Sequence, residues 1–158
     1  MKHYFAYGTL LDVPSMQAFA PSAVPSAIMR LDDHELGFAE TTCRGKGGCW
    51  LSPKPGAVTY GLHYALSDED MERMDIASGL PEGLWARKPV TVTGPDGERV
   101  STMTYTIPGD PLPFRPSESY VSPILKGLAA LDVPPAYVER VEEIIGAALR
   151  GTIRPHGG

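Results

Sequence analysis

The segment HYFAYGTLL, residues 3–11, combines an aromatic strand pattern with an abrupt glycine turn. Its run from Tyr4 to Tyr7 is rich in residues that favour β-strands, and Gly8 interrupts that run. We therefore expect a buried first strand whose end exposes backbone amides and the Thr9 hydroxyl. Such an end is either an ordinary turn or a site that binds a small charged ligand.

Working outward, the next hundred residues predict further strands, a short helix and a hairpin. A short helix is expected near residues 15–20, and strands near 30–40, 49–51 and 58–66, with a turn-rich stretch before the last of these. Gly61 is a candidate β-bulge. The motif GPDG at 94–97 lies between alternating patterns and predicts a hairpin turn.

Helix signals are clearest after residue 66. Ser67 is a candidate N-cap and is followed by three acidic residues, a pattern that favours a helix start. Met71, Met74 and Ser78 share one face of this helix, so a serine ends a stripe that should face the core. Two more helices are expected in the last third, and residues 152–158 are expected to be a frayed tail.

These patterns together predict an α+β fold. The sheet should be curved and mostly antiparallel, and residues 1–158 should form a single domain.

Composition excludes several classes of function. The chain has 158 residues and a net charge of −5, with no basic stripe, so nucleic acid and an anionic membrane are poor candidate partners. Cys43 and Cys49 are best interpreted as ordinary thiols of a cytoplasmic protein. The four scattered histidines indicate no metal site, and neither a P-loop nor a serine-hydrolase elbow is present.

Four segments in order resemble the γ-glutamylcyclotransferase family. They are YFAYGTLL, RLDDHELGF, GGCWLSPKPGAVTYGLHYALSDEDMERMD and PSESYVSPILKGLAALDVPPAYVERV. The resemblance implies a mixed fold around a small, partly closed β-barrel with flanking helices. It also implies a reaction in which the α-amine of a γ-glutamyl group attacks its own γ-carbonyl, releasing 5-oxoproline and an amine. No cofactor is required, and the implied partner is a small γ-glutamyl-type substrate.

The resemblance also assigns residues to the site. Tyr7, Gly8, Thr9 and Leu10 match the loop that holds the substrate, in a shorter variant that lacks the family's asparagine. Tyr120 matches a tyrosine of the C-terminal block, either bordering the pocket or packing in the core.

The family's catalytic glutamate has no direct counterpart. On the family's register its place is taken by Ser78, which cannot accept a proton near neutral pH without a base beside it. Glu82, followed by Gly83, is the alternative candidate for the general acid/base, or it is a surface residue of a turn.

Two main hypotheses follow. The chain is an active cyclotransferase that uses Glu82 or another group, or it is a catalytically altered homologue that binds a γ-glutamyl-like or other amino-acid-derived ligand. A pure interaction domain is a third, more remote alternative. The sequence carries no signal for the leaving amine or for an oligomeric state.

Overall fold

A five-stranded antiparallel sheet forms the centre of the computed structural model, which describes residues 1–151. The strand order is β1-β3-β2-β4-β5. The strands are β1 (Lys2–Ala6), β2 (Val24–Glu40), β3 (Gly47–Leu66), β4 (Ala86–Thr93) and β5 (Arg99–Thr106). The helices are a 3₁₀ turn (Thr9–Leu11), α1 (Val13–Phe19), α2 (Asp68–Ala77), α3 (Glu118–Ala130) and α4 (Pro135–Arg150).

The sheet curls until its two outer strands meet. The Thr104 hydroxyl of β5 donates to the Phe5 carbonyl of β1 at 2.7 Å. Just beyond β1, the Tyr7 hydroxyl donates to the Tyr105 carbonyl at 2.8 Å. Side chains rather than a backbone ladder join the edges, so the sheet is curled but not closed. The predicted α+β class is confirmed.

The two long central strands differ from the sequence prediction. The turn-rich stretch after Leu51 is part of the continuous strand β3, which pairs with β2 along most of its length. Gly61 is regularly paired with Met29; one register shift lies between Pro25 and Ala27 of β2, and the other leaves residues 54–57 of β3 unpaired opposite Asp33. A Cβ at Gly61 would lie 2.6 Å from the Phe5 ring, so this glycine permits close packing and is not a bulge.

Helix and hairpin signals are confirmed. The Ser67 side chain accepts from the Asp70 amide, and α2 begins at the next residue after this cap. The turn at 94–97 connects β4 to β5, which pair along their whole length. The predicted frayed tail at 152–158 lies outside the described residues.

The core lies between the curled sheet and the helices. Its largest fully buried side chains include Phe5, Phe38 and Tyr64 from the sheet and Ile124 and Val141 from the helices. Both cysteines are free thiols, as the sequence indicates. Among residues 1–151, no helix is long and apolar enough to span a membrane.

Candidate active site

A cavity of about 180 Å³ opens where the end of β1 meets β3, β5, α2 and α3. We call it the site cavity. Four of its lining residues are tyrosines, and the full lining is Tyr4, Tyr7, Gly8, Thr9, Leu10, Cys49, Ala77, Ser78, Trp85, Tyr105 and Tyr120. All five predicted substrate-binding residues are thus brought together with Ser78, although they come from three distant parts of the chain.

The loop after β1 is held firmly against the sheet. A Cβ at Gly8 would lie 2.6 Å from the Cys49 Sγ, so only glycine lets the loop backbone approach β3 this closely. The Leu10 carbonyl accepts a hydrogen bond from Tyr64 at 2.9 Å. The 3₁₀ turn starts at Thr9, and the first N–H groups of a helical turn have no acceptor within it. The loop therefore forms a pre-organised edge of the cavity.

Tyr120 is positioned by the cap of α3 and by β3. The Ser117 side chain caps the helix by accepting from the Tyr120 amide. The Tyr120 hydroxyl accepts from the Cys49 amide at 3.0 Å, and the Trp85 indole N–H donates to the Cys49 carbonyl at 3.1 Å. Tyr120 lines the site cavity and also packs against the hydrophobic core, so both interpretations of this residue agree with its position.

Ser78 lies at the C-terminus of α2 and is half-buried. Its hydroxyl donates to the Met74 carbonyl at 2.7 Å, so its proton is already engaged. No carboxylate lines the site cavity within the described part of the chain. If Ser78 occupies the glutamate's position, as the sequence register predicts, that position lies at the cavity and carries no acid.

Glu82 lies on an exposed turn and is not among the residues that line the cavity. Its amide donates to the Gly79 carbonyl at 3.1 Å, and Gly79 and Gly83 both have positive φ angles. In this conformation the structure does not bring Glu82 together with the other predicted site residues.

A carboxylate that the sequence did not single out reaches the site through a tyrosine. Asp75, one turn before Ser78, accepts a short hydrogen bond from the Tyr105 hydroxyl. It also forms an ion pair with Arg87, whose Nε donates at 3.0 Å. The link of Asp75 and Arg87 to Tyr105 depends on how β5 lies against α2, which local sequence patterns do not contain.

Burial keeps the cavity's hydroxyls and thiol neutral. Desolvation raises the pKa of Tyr105 above its ordinary value, and the hydrogen bond to Asp75 raises it further. Burial likewise raises the pKa of Tyr120. It raises the pKa of the Cys49 thiol to about 11, so that thiol is not a nucleophile near neutral pH. The cavity can therefore donate and accept hydrogen bonds without carrying charge itself.

Comparison with known proteins agrees with this architecture. The family model described as gamma-glutamyl cyclotransferase, AIG2-like matches residues 4–122. A gamma-glutamylcyclotransferase of Bos taurus is 26% identical over 147 residues, covering 89% of this chain and 77% of that protein. One from Mus musculus is 25% identical over 156 residues, covering 95% of this chain and 82% of that protein.

Solved structures share the fold. A gamma-glutamyl cyclotransferase superposes with a TM-score of 0.80 at 22% identity, covering 89% of this chain and 86% of that one. YkqA from Bacillus subtilis gives a TM-score of 0.77 at 16% identity, covering 92% of this chain and 54% of that one. Because the family model extends from β1 into α3 and includes every lining residue of the site cavity, the chain belongs to the gamma-glutamyl cyclotransferase, AIG2-like family.

Proposed function

We propose that the protein is a γ-glutamylcyclotransferase that releases 5-oxoproline and an amine from a small γ-glutamyl compound. The observation that supports this most directly is the site cavity, which the 7–10 loop, Ser78 and Tyr120 line together. At ~30 Å³ per water, its volume corresponds to about six water molecules, enough for one amino-acid-sized group.

Each part of the substrate has a matching group in this proposal. The backbone amides after Tyr7 and the Thr9 hydroxyl hold the glutamyl carboxylate, as strand-end turns of free N–H groups do for anions. The Tyr120 hydroxyl, whose oxygen accepts from the Cys49 amide, keeps its own proton to donate toward the oxygen of the γ-carbonyl. The oxygen gains negative charge when the α-amine attacks.

The reaction moves one proton and exchanges one C–N bond for another. The α-nitrogen bonds to the γ-carbon, the bond to the leaving amine breaks, and the proton lost by the ammonium group ends on that amine. We assign the temporary proton acceptor to Asp75, acting through Tyr105. The Tyr105 oxygen takes the ammonium proton while its own proton passes to the Asp75 carboxylate.

Glu82 is retained as the competing acceptor. For Glu82 to act, the 79–83 turn would have to carry it to the cavity, whereas Asp75 already has a hydrogen-bonded route. The curated relatives favour an enzyme over a catalytically altered homologue. The chemistry needs no metal or organic cofactor, and we place the reaction in the cytoplasm, where the free thiols of Cys43 and Cys49 would stay reduced.

The decisive experiment measures 5-oxoproline released from γ-glutamyl dipeptides by the wild type and by Asp75→Asn and Glu82→Gln. A general base contributes about 10²–10⁴-fold, so we expect Asp75→Asn to lower kcat by that order. Asp68→Asn is the matched control, because Asp68 is exposed in the first turn of α2, away from the cavity.

The activities of these variants show whether Asp75 or Glu82 is the general base. Loss of activity in Glu82→Gln with normal activity in Asp75→Asn would transfer the role to Glu82. If the folded wild type releases no 5-oxoproline from any γ-glutamyl dipeptide, the proposed function is wrong.

A further inference from the structure

A second cavity, of about 140 Å³, adjoins the site cavity. Its lining is Thr9, Leu10, Phe19, Met74, Ala77 and Ser78. Thr9, Leu10, Ala77 and Ser78 line both cavities, so the two spaces meet at the end of α2. We call the second one the side cavity.

The side cavity is apolar where it diverges from the site cavity. The two residues that it does not share with the site cavity are Phe19 and Met74. Phe19, the last residue of α1, is 54% exposed although it is a large aromatic side chain. In the described part of the chain, no lysine, arginine, histidine or carboxylate lines either cavity.

The location of the side cavity connects it to the leaving group of the proposed reaction. If the site cavity holds the glutamyl group, the group attached to its γ-carbonyl must leave through a neighbouring space. The side cavity is such a space, because it begins at Ser78, the position of the family's acid. A bound apolar chain there would cover the exposed Phe19 ring and lose contact with water, which is favourable.

Resting on the proposed function, we infer that the side cavity binds the leaving amine and selects an apolar, uncharged amine. An amine that carries a carboxylate or a second ammonium group would meet no opposite charge in the lining, so any water shed from that charge would go uncompensated. An alkyl chain can contact Leu10, Phe19 and Met74 without losing the hydration of a charged group. The substrate class is therefore a γ-glutamyl conjugate of an apolar amine.

Three synthetic substrates test this inference. γ-Glutamyl-n-butylamide carries an alkyl chain, γ-glutamyl-γ-aminobutyrate carries a chain of similar length with a carboxylate, and γ-glutamylmethylamide carries only a methyl group. One buried methylene is worth about fourfold in binding, so we expect kcat/KM for the butylamide to exceed that for the methylamide by about tenfold or more. We expect the aminobutyrate conjugate to fall below the butylamide by at least the same factor.

A charge placed in the side cavity should reverse the preference. Phe19→Lys adds an ammonium group at the mouth, so the ratio of kcat/KM for the butylamide to that for the aminobutyrate conjugate should fall by about tenfold. Ile76→Lys is the matched control, because Ile76 is 69% exposed and lines neither cavity. It adds the same charge nearby on α2 and should leave the ratio unchanged.

Failure of the inference is distinguishable from failure of the proposed function. Equal kcat/KM values for the butylamide and the aminobutyrate conjugate, with turnover of both, would overturn the apolar side cavity while leaving the cyclotransferase intact. If no substrate yields 5-oxoproline, the proposed function fails, and binding then tests the side cavity. In that case a rise in Tm with the butylamide that exceeds the rise with the aminobutyrate conjugate supports the inference, and equal shifts refute it.

Discussion

Replacing Gly48 with alanine tests how the fold holds Tyr120 at the cavity. A Cβ at this position would lie 2.2 Å from the Tyr120 hydroxyl oxygen, 2.8 Å from its Cζ and 3.0 Å from the Trp85 Cζ2. Ordinary contacts begin near 3.4 Å, so the hydroxyl must move away by about 1 Å. The 3.0 Å hydrogen bond from the Cys49 amide cannot survive that movement.

The cost follows from these two effects. A buried amide that loses its acceptor costs about 1–3 kcal/mol. Overpacking by one methyl group costs about 1–3 kcal/mol more. We therefore expect Gly48→Ala to lower the free energy of unfolding by about 2–6 kcal/mol. At roughly 2–4 °C per kcal/mol for a chain of this size, Tm should fall by about 4–24 °C. Release of 5-oxoproline should fall as well, because the displaced Tyr120 hydroxyl no longer faces the substrate.

A double-mutant cycle with Tyr120→Phe identifies the clashing atom. Because the phenylalanine lacks the oxygen that lies 2.2 Å away, the double variant should lose less stability than the sum of the two single variants, by about 1 kcal/mol or more. Gly37→Ala is the control, since its Cβ would meet only the Trp50 side chain, at 3.3 Å, and should cost less than about 1 kcal/mol. Urea unfolding measures all four variants. Wild-type stability in Gly48→Ala, or strictly additive effects in the cycle, would refute this account of Tyr120.

Two further predictions concern α2. Ser78→Glu places a carboxylate in the site cavity. In the proposed mechanism Asp75 already supplies the base, so we expect 5-oxoproline release to change by less than about tenfold. A gain of about 10²–10⁴-fold would instead indicate that the wild type lacks a base. Hydrogen bonds from the Ser22 hydroxyl and amide are the main cause of the lowered pKa of Asp70. The contribution of the Asp70 carboxylate to stability is therefore present above the ordinary aspartate pKa, and it is lost as the pH falls through the lowered pKa of the folded state. The stability advantage of the wild type over Asp70→Asn in urea unfolding should therefore be constant above about pH 5 and shrink as the pH falls below about 4, the ordinary aspartate pKa. An advantage that persists undiminished at the lowest pH at which both variants fold would contradict the assignment.

Local patterns in the sequence were sufficient to predict most elements of the fold. The first strand, the Ser67 cap of α2 and the hairpin turn at 94–97 each depend on a few neighbouring residues, and all three occur in the structure. The continuous strand β3 was missed because its proline- and glycine-rich centre resembles a loop, while its pairing with β2 continues on both sides of that centre. Pairing between strands is a non-local interaction, and local propensity does not contain it.

The candidate site, like the fold, could be predicted from the sequence only in part. The loop proposed to hold the substrate, and the serine at the position predicted for the family's glutamate, could be read from the sequence because the resemblance assigns both to a motif. The hydrogen bond from Tyr105 to Asp75 joins residues 30 positions apart, and the contact of Tyr7 with Tyr105 joins residues 98 apart. These contacts, and the meeting of the side cavity with the site cavity, exist only because the sheet curls until β5 reaches β1 and α2. Sequence alone therefore determined which residues are available, and the curvature of the sheet decided which of them meet.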